Sequence, residues 1–267
     1  MIKSIVAGAA GRMGKKIIHM IQQNADVRLI AAFEHPEHPE ITRDAGRVAG
    51  IEKSGVKIAG CLKDVIDLGE VIIDFTSPPA TLENIRMAAE HGLSMVIGTT
   101  GITGETLEEI TDLSKKIRCV MAPNMSIGVN VMFHIAAKMA GILGDDYDME
   151  ILEAHHRFKK DAPSGTAMRL AGILAESVSR DLEKVAVYER RGLTGERTDK
   201  EIGIQTLRAG DITGEHSVMF GGIGERLELI HRAHNRDNFA GGAVKAAAWI
   251  VKQPVGLYDM QDVLGLK

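Results

Sequence analysis

The N-terminal stretch Met1–Gly14 reads MIKSIVAGAAGRMG, and it decides the fold class of the domain that contains it. Its apolar run, Ile2–Ala7, predicts a buried β-strand, and glycines follow at positions 8, 11 and 14. Such spacing allows a tight turn in which backbone N–H groups approach a pyrophosphate, while the start of the next helix favours its charge. The stretch departs from G-x-G-x-x-G because Ala10 stands at the second glycine. We predict a dinucleotide loop, in which Gly14 permits close packing of helix on strand.

An acidic residue follows the second predicted strand, Arg28–Phe33. A carboxylate at this place, Glu34, can accept hydrogen bonds from the ribose of an adenosine. Its charge favours NAD because it would repel a 2′-phosphate, although Arg12 and a protonated His35 would accommodate NADP. A glycine-rich turn without a ligand is the weaker interpretation, because strand, loop, helix, strand and acid occur in the expected order.

Short apolar runs alternate with helical patterns through the first half of the chain. This alternation indicates a Rossmann-like, doubly wound parallel sheet with helices on both faces. Ligands bind such sheets beyond the carboxyl ends of the strands, so GTT at 98–100 and APNM at 122–125 are candidate contacts, with ordinary turns as the alternative. Gly92 is expected to end a helix in a left-handed conformation. The other predicted strands are Val56–Ala59, Val71–Phe75, Met95–Ile97 and Cys119–Met121, and the helices are 11–24, 80–91 and 105–116.

A second, smaller α+β domain is predicted after about residue 126. We assign residues 1–126 and 236–267 to a dinucleotide-binding domain and residues 127–235 to the second domain. The last long helix, Gly241–Val251, is rich in alanine and is expected to pack back on the first domain. The second domain is predicted to hold helices at Asn130–Leu143 and Thr166–Ser179 and a mostly antiparallel or mixed sheet of Met149–Ala154, Val185–Tyr188, Gly203–Leu207, Ser217–Phe220 and Arg226–His231.

Composition excludes several functional classes. With 32 basic and 36 acidic residues and a net charge of -4, bulk charge favours neither nucleic acid nor an anionic membrane as a partner. No continuous apolar run approaches the ~18 residues of a membrane span, and the short N-terminal run is interpreted as a strand rather than a signal peptide. Two distant cysteines, Cys61 and Cys119, fit a reducing cytoplasm. His35 and His38 are interpreted as surface residues, so no metal site is predicted.

The segment EAHHRFKKDAPSGTA, residues 153–167, runs from a strand end through a loop into a helix. Pro163 and Ser164 suit the start of that helix. The first backbone N–H groups, around Gly165 and Thr166, would bind an anion such as a carboxylate. A glycine there lets a ligand approach the backbone.

The same segment concentrates positive charge in a slightly acidic chain. His155, His156 and Lys159 lie beside the predicted helix start, and histidine and lysine are candidate proton donors near neutral pH. The pattern predicts a site for a small, doubly anionic molecule that the protein can also protonate. A solvated basic loop is the alternative, and the nucleotide-type domain upstream makes it weaker.

Other classes fit the sequence less well. Short-chain dehydrogenases use Tyr-x-x-x-Lys, but Tyr147, Tyr188 and Tyr258 have no lysine four residues on. An acylating semialdehyde dehydrogenase would need a thiol, and neither cysteine lies in a plausible nucleophile context. A non-catalytic nucleotide sensor would not need the His-His-x-x-Lys pattern. A second pair, His231 and His234, is interpreted as structural or interfacial.

Two motifs of this chain, GAAGRMG at residues 8–14 and EAHHRFKKDAPSGTA at residues 153–167, are characteristic of one enzyme family. On these motifs the chain resembles the 4-hydroxy-tetrahydrodipicolinate (dihydrodipicolinate) reductase family. The resemblance implies a cytoplasmic homotetramer, paired through the sheet of the second domain, whose domains close over NADH or NADPH and a cyclic imine dicarboxylate. It also implies hydride transfer to ring carbon four, giving tetrahydrodipicolinate in the diaminopimelate route to lysine. The matching segments occur in order along essentially the whole chain: GAAGRMG, IDFTSP, VIGTTG, APNMSIGVN, EAHHRFKKDAPSGTA, RAGDITGEH and GERLE.

The resemblance also assigns roles to residues. His155 matches the catalytic histidine and Lys159 the proton donor, although the two roles could be shared or reversed. His35 stands where many relatives carry Arg, which weakens the expectation of NADPH use, and Met125 stands where many carry an aromatic residue, yet packing against the nicotinamide region is expected to persist. The positions that match substrate-carboxylate contacts are His156, Gly165 and Thr166. Those that match cofactor contacts are Gly8, Ala9, Ala10, Gly11, Arg12, Met13, Glu34, Gly98, Thr99, Thr100, Ala122, Pro123, Asn124 and Met125.

Overall fold

The computed structural model describes residues 1–267 and divides them into two compact units. The first unit comprises Met1–Ile127 and Arg236–Lys267, and the second comprises Gly128–Asn235. The second unit is therefore inserted between two segments of the first.

The chain forms twelve β-strands and nine α-helices. The strands are β1 (Ile2–Ala7), β2 (Val27–Phe33), β3 (Ile58–Ala59), β4 (Val71–Asp74), β5 (Ser94–Ile97), β6 (Arg118–Met121), β7 (Asp148–His155), β8 (Ala186–Val187), β9 (Ile202–Arg208), β10 (Gly214–Gly222), β11 (Glu225–Ala233) and β12 (Gly256–Tyr258). The helices are α1 (Arg12–Gln22), α2 (Ala45–Val48), α3 (Pro78–His91), α4 (Gly104–Ser114), α5 (Ile127–Leu143), α6 (Gly165–Ser177), α7 (Leu182–Val185), α8 (Asp237–Ile250) and α9 (Met260–Leu264).

The first unit is built on a seven-stranded sheet in the order β12-β6-β5-β4-β1-β2-β3. Every neighbouring pair is parallel. All four residues of β4 and of β5 are buried, as expected for strands with helices on both faces. The predicted Rossmann-like parallel sheet is confirmed. Its strands end at one edge, which places the loops after β1, β4, β5 and β6 together.

Helices of the first unit follow the predicted pattern with shifted boundaries. Helix α3 begins at Pro78, because proline is tolerated in the first turn, where its missing N–H has no partner in any case. Gly92 ends it with φ of 66°, as expected. Helix α8 begins at Asp237, four residues earlier than predicted, and its Ala243 and Ala247 lie in the same core as Ile17 of α1. The prediction that the last long helix packs on the first domain is confirmed.

Two C-terminal elements escaped prediction. Strand β12 pairs parallel to β6 and completes the sheet edge, but three residues are too short to show an alternating pattern. Helix α9 starts with a capping box in which Asp259 accepts from the Asp262 N–H at 3.2 Å and the Asp262 side chain accepts from the Asp259 N–H at 2.8 Å. Strand β3 is also shorter than its prediction, beginning at Ile58 rather than Val56.

The second unit has a five-stranded sheet in the order β11-β10-β7-β9-β8. Strand β10 is antiparallel to β7 and β11, whereas β9 is parallel to β7 and β8. The predicted mixed sheet is confirmed, although parallel pairs are as frequent as antiparallel pairs rather than a minority. The cause is the long connection from β7 to β9, which passes through α6 and α7 and so returns the chain in the same direction.

The core of the second unit lies between this sheet and helices α5 and α6. Phe220 and Ile151 from the sheet, Phe133 from α5 and Leu170 from α6 belong to one buried cluster. By length and composition alone, residues 127–146 would also suit a membrane span, with mean hydropathy 1.4, a property that core helices share. Polar residues such as Asn130 interrupt the run, and α5 buries one face in this core.

Candidate active site

The loop between β1 and α1 turns tightly around its glycines. Gly8 has φ of 63°, a left-handed conformation that favours glycine. The Gly11 N–H donates to the Gly8 carbonyl at 2.9 Å, and the Ala9 N–H donates to the Phe33 carbonyl at 3.1 Å, which fixes the loop beside the end of β2. A Cβ on Gly14 would overlap the backbone of this loop. The structure therefore supports the prediction that Gly14 serves helix packing.

Glu34 lies against the same loop. One carboxylate oxygen accepts from the Ala10 N–H at 3.0 Å and the other from the His35 N–H at 3.0 Å. The acid that the sequence assigned to ribose recognition is thus held beside the residue that replaces the second glycine. A positive-φ turn, a helix start at Arg12 and an adjacent carboxylate fit the phosphate and ribose of a dinucleotide.

A buried carboxylate organises the ends of β4 and β5. Asp74 is fully buried, and one of its oxygens accepts from the Thr76 N–H at 2.9 Å and from the Thr76 hydroxyl at 2.6 Å. Its other oxygen accepts from the Asn84 amide at 2.8 Å, and the Thr99 hydroxyl donates to the first oxygen at 3.3 Å. Asp74 is not among the predicted site residues, although an acid inside an otherwise apolar strand is a signal for such a network.

The predicted contacts after β5 and β6 differ in what surrounds them. A Cβ on Gly98 would overlap the ring of Phe75, so only glycine fits there. Thr99 is buried, and Thr100 is exposed. Met125 is only 1% exposed and belongs to the core of the first unit. Its side chain therefore points into protein, whereas the sequence assigned it to the nicotinamide region.

Helix α6 begins as the sequence predicted. Ser164 is the N-cap, and its hydroxyl accepts from the Ala167 N–H at 3.2 Å. Gly165 and Thr166 are the first two helical residues. A Cβ on Gly165 would meet no atom within 4 Å, so the space beside this helix start is open. The first turn carries no acidic side chain, and an anion would be favoured there.

His155 is the last residue of β7 and lies next to that helix start. Its Nδ1 is 2.6 Å from the Glu153 carboxylate, and its side chain is 12% exposed. Burial lowers the pKa of His155 below its usual value, although Glu153 opposes this shift; the positive charges of Lys159 and Arg208 lower it further. His155 is therefore mainly neutral at neutral pH.

Glu153, which is not among the predicted site residues, lies at the centre of the site. The carboxylate is fully buried and forms a two-pronged ion pair with Arg208 at 2.8 and 2.9 Å. Burial alone would raise its pKa, but hydrogen bonds from Arg208, His155 and the Ser164 N–H outweigh that effect and lower the pKa to about 2. The carboxylate is therefore ionised at all physiological pH values.

The basic loop after β7, residues 156–161, is held by several hydrogen bonds. Lys159 Nζ donates to both oxygens of Asp161 at 2.9 Å, and Arg208 also donates to the Asp161 carbonyl at 2.7 Å. The Lys159 N–H donates to the His156 carbonyl at 3.1 Å. His156 Nδ1 is buried without a hydrogen-bond partner within the protein. The structure thus keeps the predicted catalytic and binding side chains in one short, ordered segment.

A third histidine, His216 on β10, belongs to the same cluster. Its Nε2 lies 3.1 Å from the Ser164 hydroxyl, and its ring meets that of His155 edge-on at 5.2 Å between centroids. Burial, assisted by the neighbouring His155, lowers the pKa of His216 to about 3. Its motif, GEH, was visible in the sequence only as part of a resemblance.

Known sequences match this chain along its whole length. A family model described as "Dihydrodipicolinate reductase, N-terminus" matches residues 2–125, and one described as "Dihydrodipicolinate reductase, C-terminus" matches residues 128–264. The chain is 57% identical to a 4-hydroxy-tetrahydrodipicolinate reductase of Desulfotalea psychrophila, covering 100% of this chain and 99% of that protein. It is 54% identical to the protein of the same name from Syntrophus aciditrophicus, covering 100% of both.

Solved structures agree with this fold. A dipicolinate-bound dihydrodipicolinate reductase from Paenisporosarcina sp. TG-14 matches with a TM-score of 0.77 and 26% identity, covering 98% of each chain. An amine dehydrogenase from Mycobacterium smegmatis matches with a TM-score of 0.57 and 13% identity, covering 96% of this chain and 94% of that one. The second match shows similarity of fold alone.

Proposed function

The chain belongs to the dihydrodipicolinate reductase family, and we propose on that basis that it is a cytoplasmic enzyme that converts 4-hydroxy-tetrahydrodipicolinate to tetrahydrodipicolinate in the diaminopimelate route to lysine. The observation that carries the proposal is the cluster at the start of α6. There, a half-buried histidine, a lysine and an open helix N-terminus lie in the one segment that suits a dicarboxylate.

In this reaction the hydroxylated substrate loses water to give a conjugated cyclic imine, and the reduced nicotinamide, when bound, supplies a hydride to ring carbon four of that imine. The chain's own residues bind the dicarboxylate and move the proton. His156 and the N-terminal residues of α6, Gly165 and Thr166, offset the carboxylate charge. His155 and Lys159 supply the proton that converts the electron-rich enamine, formed by hydride addition, into tetrahydrodipicolinate. Because His155 is mainly neutral at neutral pH, its free ring nitrogen can exchange the proton, and Lys159 lies in the same loop, held by Asp161.

For the cofactor, the nicotinamide dinucleotide is held by the first unit, with NADH used at least as well as NADPH. Glu34 supports this preference because its carboxylate lies at the glycine loop, where it accepts from the Ala10 N–H at 3.0 Å. A 2′-phosphate there would meet its negative charge, whereas a ribose hydroxyl would donate to it. Arg12 and His35 are the cations nearest in sequence that would offset a phosphate.

A homotetramer paired through the sheet of the second unit is the assembly we propose. Leu152 on β7 is opposite Ser217, which is opposite Ile230 on β11, so Leu152 and Ile230 share one face of the sheet. Leu207 on β9 is opposite Ala154 and lies on the same face. These three leucine and isoleucine side chains are 44–52% exposed. Such an apolar face is typical of a surface that pairs with another copy, and light scattering would give the assembled mass.

The decisive experiment follows reduced-nicotinamide absorbance with substrate made in situ from pyruvate and aspartate semialdehyde. NADH and NADPH are compared for the wild type and a His155→Ala/Lys159→Ala variant, with Lys160→Ala as the matched control because Lys160 is exposed. We expect consumption by the wild type and control and a loss of at least about 100-fold in the double variant. A folded wild type that binds dinucleotide but consumes neither cofactor would favour a nucleotide sensor.

A further inference from the structure

A buried carboxylate in the second unit has no role in the chemistry derived so far. Glu153 lies on β7 with its side chain fully buried, where an uncompensated charge would be costly. Its two oxygens accept five hydrogen bonds. One accepts from the Ser164 N–H at 2.9 Å, from Arg208 at 2.9 Å and from the Thr206 hydroxyl at 3.3 Å. The other accepts from Arg208 at 2.8 Å and faces His155 Nδ1 at 2.6 Å.

This hydrogen bonding determines which nitrogen of His155 carries its proton. An ionised carboxylate can only accept hydrogen bonds, so the His155 atom facing it, Nδ1, must be the donor. A neutral imidazole has a single N–H, and its Nε2 is then left with an unshared electron pair. Arg208 also donates to both carboxylate oxygens, which restrains the carboxylate from rotating away from the histidine.

The environment of Nε2 is consistent with this arrangement. Gly214 on β10 lies beside the ring, and a Cβ there would sit 3.1 Å from His155 Nε2, closer than side chains normally approach. The glycine therefore keeps the neighbourhood of Nε2 clear.

Glu153 also connects the histidine to the start of α6. The Ser164 N–H that it accepts belongs to the N-cap residue of that helix. The chain between His155 and Ser164 is an irregular loop, and the Glu153 carboxylate joins its two ends directly. One buried carboxylate thereby fixes the distance between the proton-transfer group and the helix start proposed to hold the substrate carboxylate.

We propose that Glu153 is a positioning residue of the reductase. It holds His155 in the tautomer that is protonated on Nδ1, which leaves Nε2 able to accept and release a proton. The same carboxylate also holds the start of the substrate-binding helix α6. The inference rests on the proposed function for the part that concerns turnover. The tautomer itself is a property of the protein that can be measured without substrate.

The first test uses the wild-type protein with ¹⁵N-labelled histidine and long-range ¹H–¹⁵N spectra, with His155 assigned by its disappearance in His155→Gln. At pH values where His155 is neutral, we expect Nδ1 to be protonated and Nε2 to be unprotonated. A protonated Nε2 with a bare Nδ1 overturns the proposal. This test separates the inference from the reaction, because it gives the same answer whether or not the enzyme consumes NADH.

The second test is Glu153→Gln, whose amide can donate to Nδ1 and so reverse the tautomer. Since Glu153 raises the pKa of His155, we expect that pKa to fall, the corresponding limb of the kcat–pH profile to move to lower pH, and kcat to fall at least about 100-fold. NADH affinity should not change. A variant that keeps the wild-type tautomer, pH profile and kcat refutes the inference.

If Glu153→Gln does not fold, Gly214→Ala tests the same proposal without changing Glu153. The added Cβ crowds Nε2, so we expect kcat to fall about tenfold or more while the Nδ1–H signal remains. Unchanged kcat in a folded Gly214→Ala protein would show that Nε2 does not face the reaction and would also overturn the proposal.

Discussion

A Cβ atom on Gly14 would overlap the carbonyl oxygen of Gly8 and lie 2.8 Å from the Cα of Ala9. The first turn of α1 is therefore in backbone contact with the strand end that precedes it. The loop side of this contact is fixed, because the Ala9 N–H donates to the Phe33 carbonyl at 3.1 Å. This contact sets how closely the glycine loop is held against the helix that follows it.

Gly14→Ala is expected to destabilise the first unit by about 1–3 kcal/mol, the usual cost of overpacking, or to displace α1. Urea unfolding with a probe in the first unit would measure the change. Gly165→Ala serves as the matched control, since both positions are helical. Equal stability of the two variants would mean that α1 can shift at no cost.

Gly165→Ala should change substrate binding rather than stability. A Cβ at this position meets no protein atom within 4 Å, but it would occupy the space through which a carboxylate approaches the helix start. We expect KM for the dicarboxylate to rise about tenfold, corresponding to the loss of roughly one hydrogen bond to a charged group. Steady-state kinetics and NADH titration would measure KM and cofactor affinity, and an unchanged KM would place the carboxylate elsewhere.

Acid should destabilise the second unit through His216. Its pKa is near 3 in the folded protein and 6.5 for an unperturbed histidine, so the unfolded chain binds the extra proton. The stability associated with neutral His216 is complete above pH 6.5 and is lost as pH falls toward 3. At pH 5 the loss is about 2 kcal/mol.

Urea unfolding of wild type and His216→Gln at pH 7.5 and 5 would test this expectation. The variant should lose less stability between the two pH values than the wild type does. His35→Gln, at an exposed histidine, controls for the removal of a histidine. A wild-type slope retained in His216→Gln would show that another group takes up the proton.

Glu34→Gln should shift cofactor preference toward NADPH. The amide removes the negative charge beside the glycine loop but keeps an oxygen that can accept from Ala10. We expect the ratio of NADPH to NADH affinity to rise about tenfold, the effect of one like charge a few ångströms from a phosphate. Fluorescence titration with both cofactors would give the ratio, and high salt should reduce the difference. An unchanged ratio would mean that Glu34 does not face the 2′ position.

The parts of the fold that sequence could predict are those with local signatures. The glycine loop, the capped start of α6 and the buried strands each leave a pattern within a few residues. Strand direction in the second unit leaves none, because an alternating pattern shows which face is buried but is the same for parallel and antiparallel neighbours. The parallel pairing of β7, β9 and β8 therefore emerged only with the structure.

The site residues likewise comprise some that local sequence could predict and some that it could not. His155 and Lys159 were recognisable because they stand together in one charged segment. Arg208 lies 55 residues from Glu153, and nothing in either local sequence links them. Glu153 and Asp74 are acids inside strands, where the surrounding apolar residues predict a buried strand but give no indication of what the acid does. Ion pairs such as that of Arg208 with Glu153 depend on how distant strands align in the sheet, and no local sequence pattern predicts that alignment.

The insertion of the second unit also imposes an order on the synthesis of the protein. The ribosome releases residues 128–235 before α8 and β12, yet Ala243, Ala247 and Met260 are part of the first unit's core. A nascent chain thus holds every residue of the second unit while the sheet that carries the glycine loop still lacks an edge strand and a covering helix. The domain that the ribosome begins first is the one that it completes last.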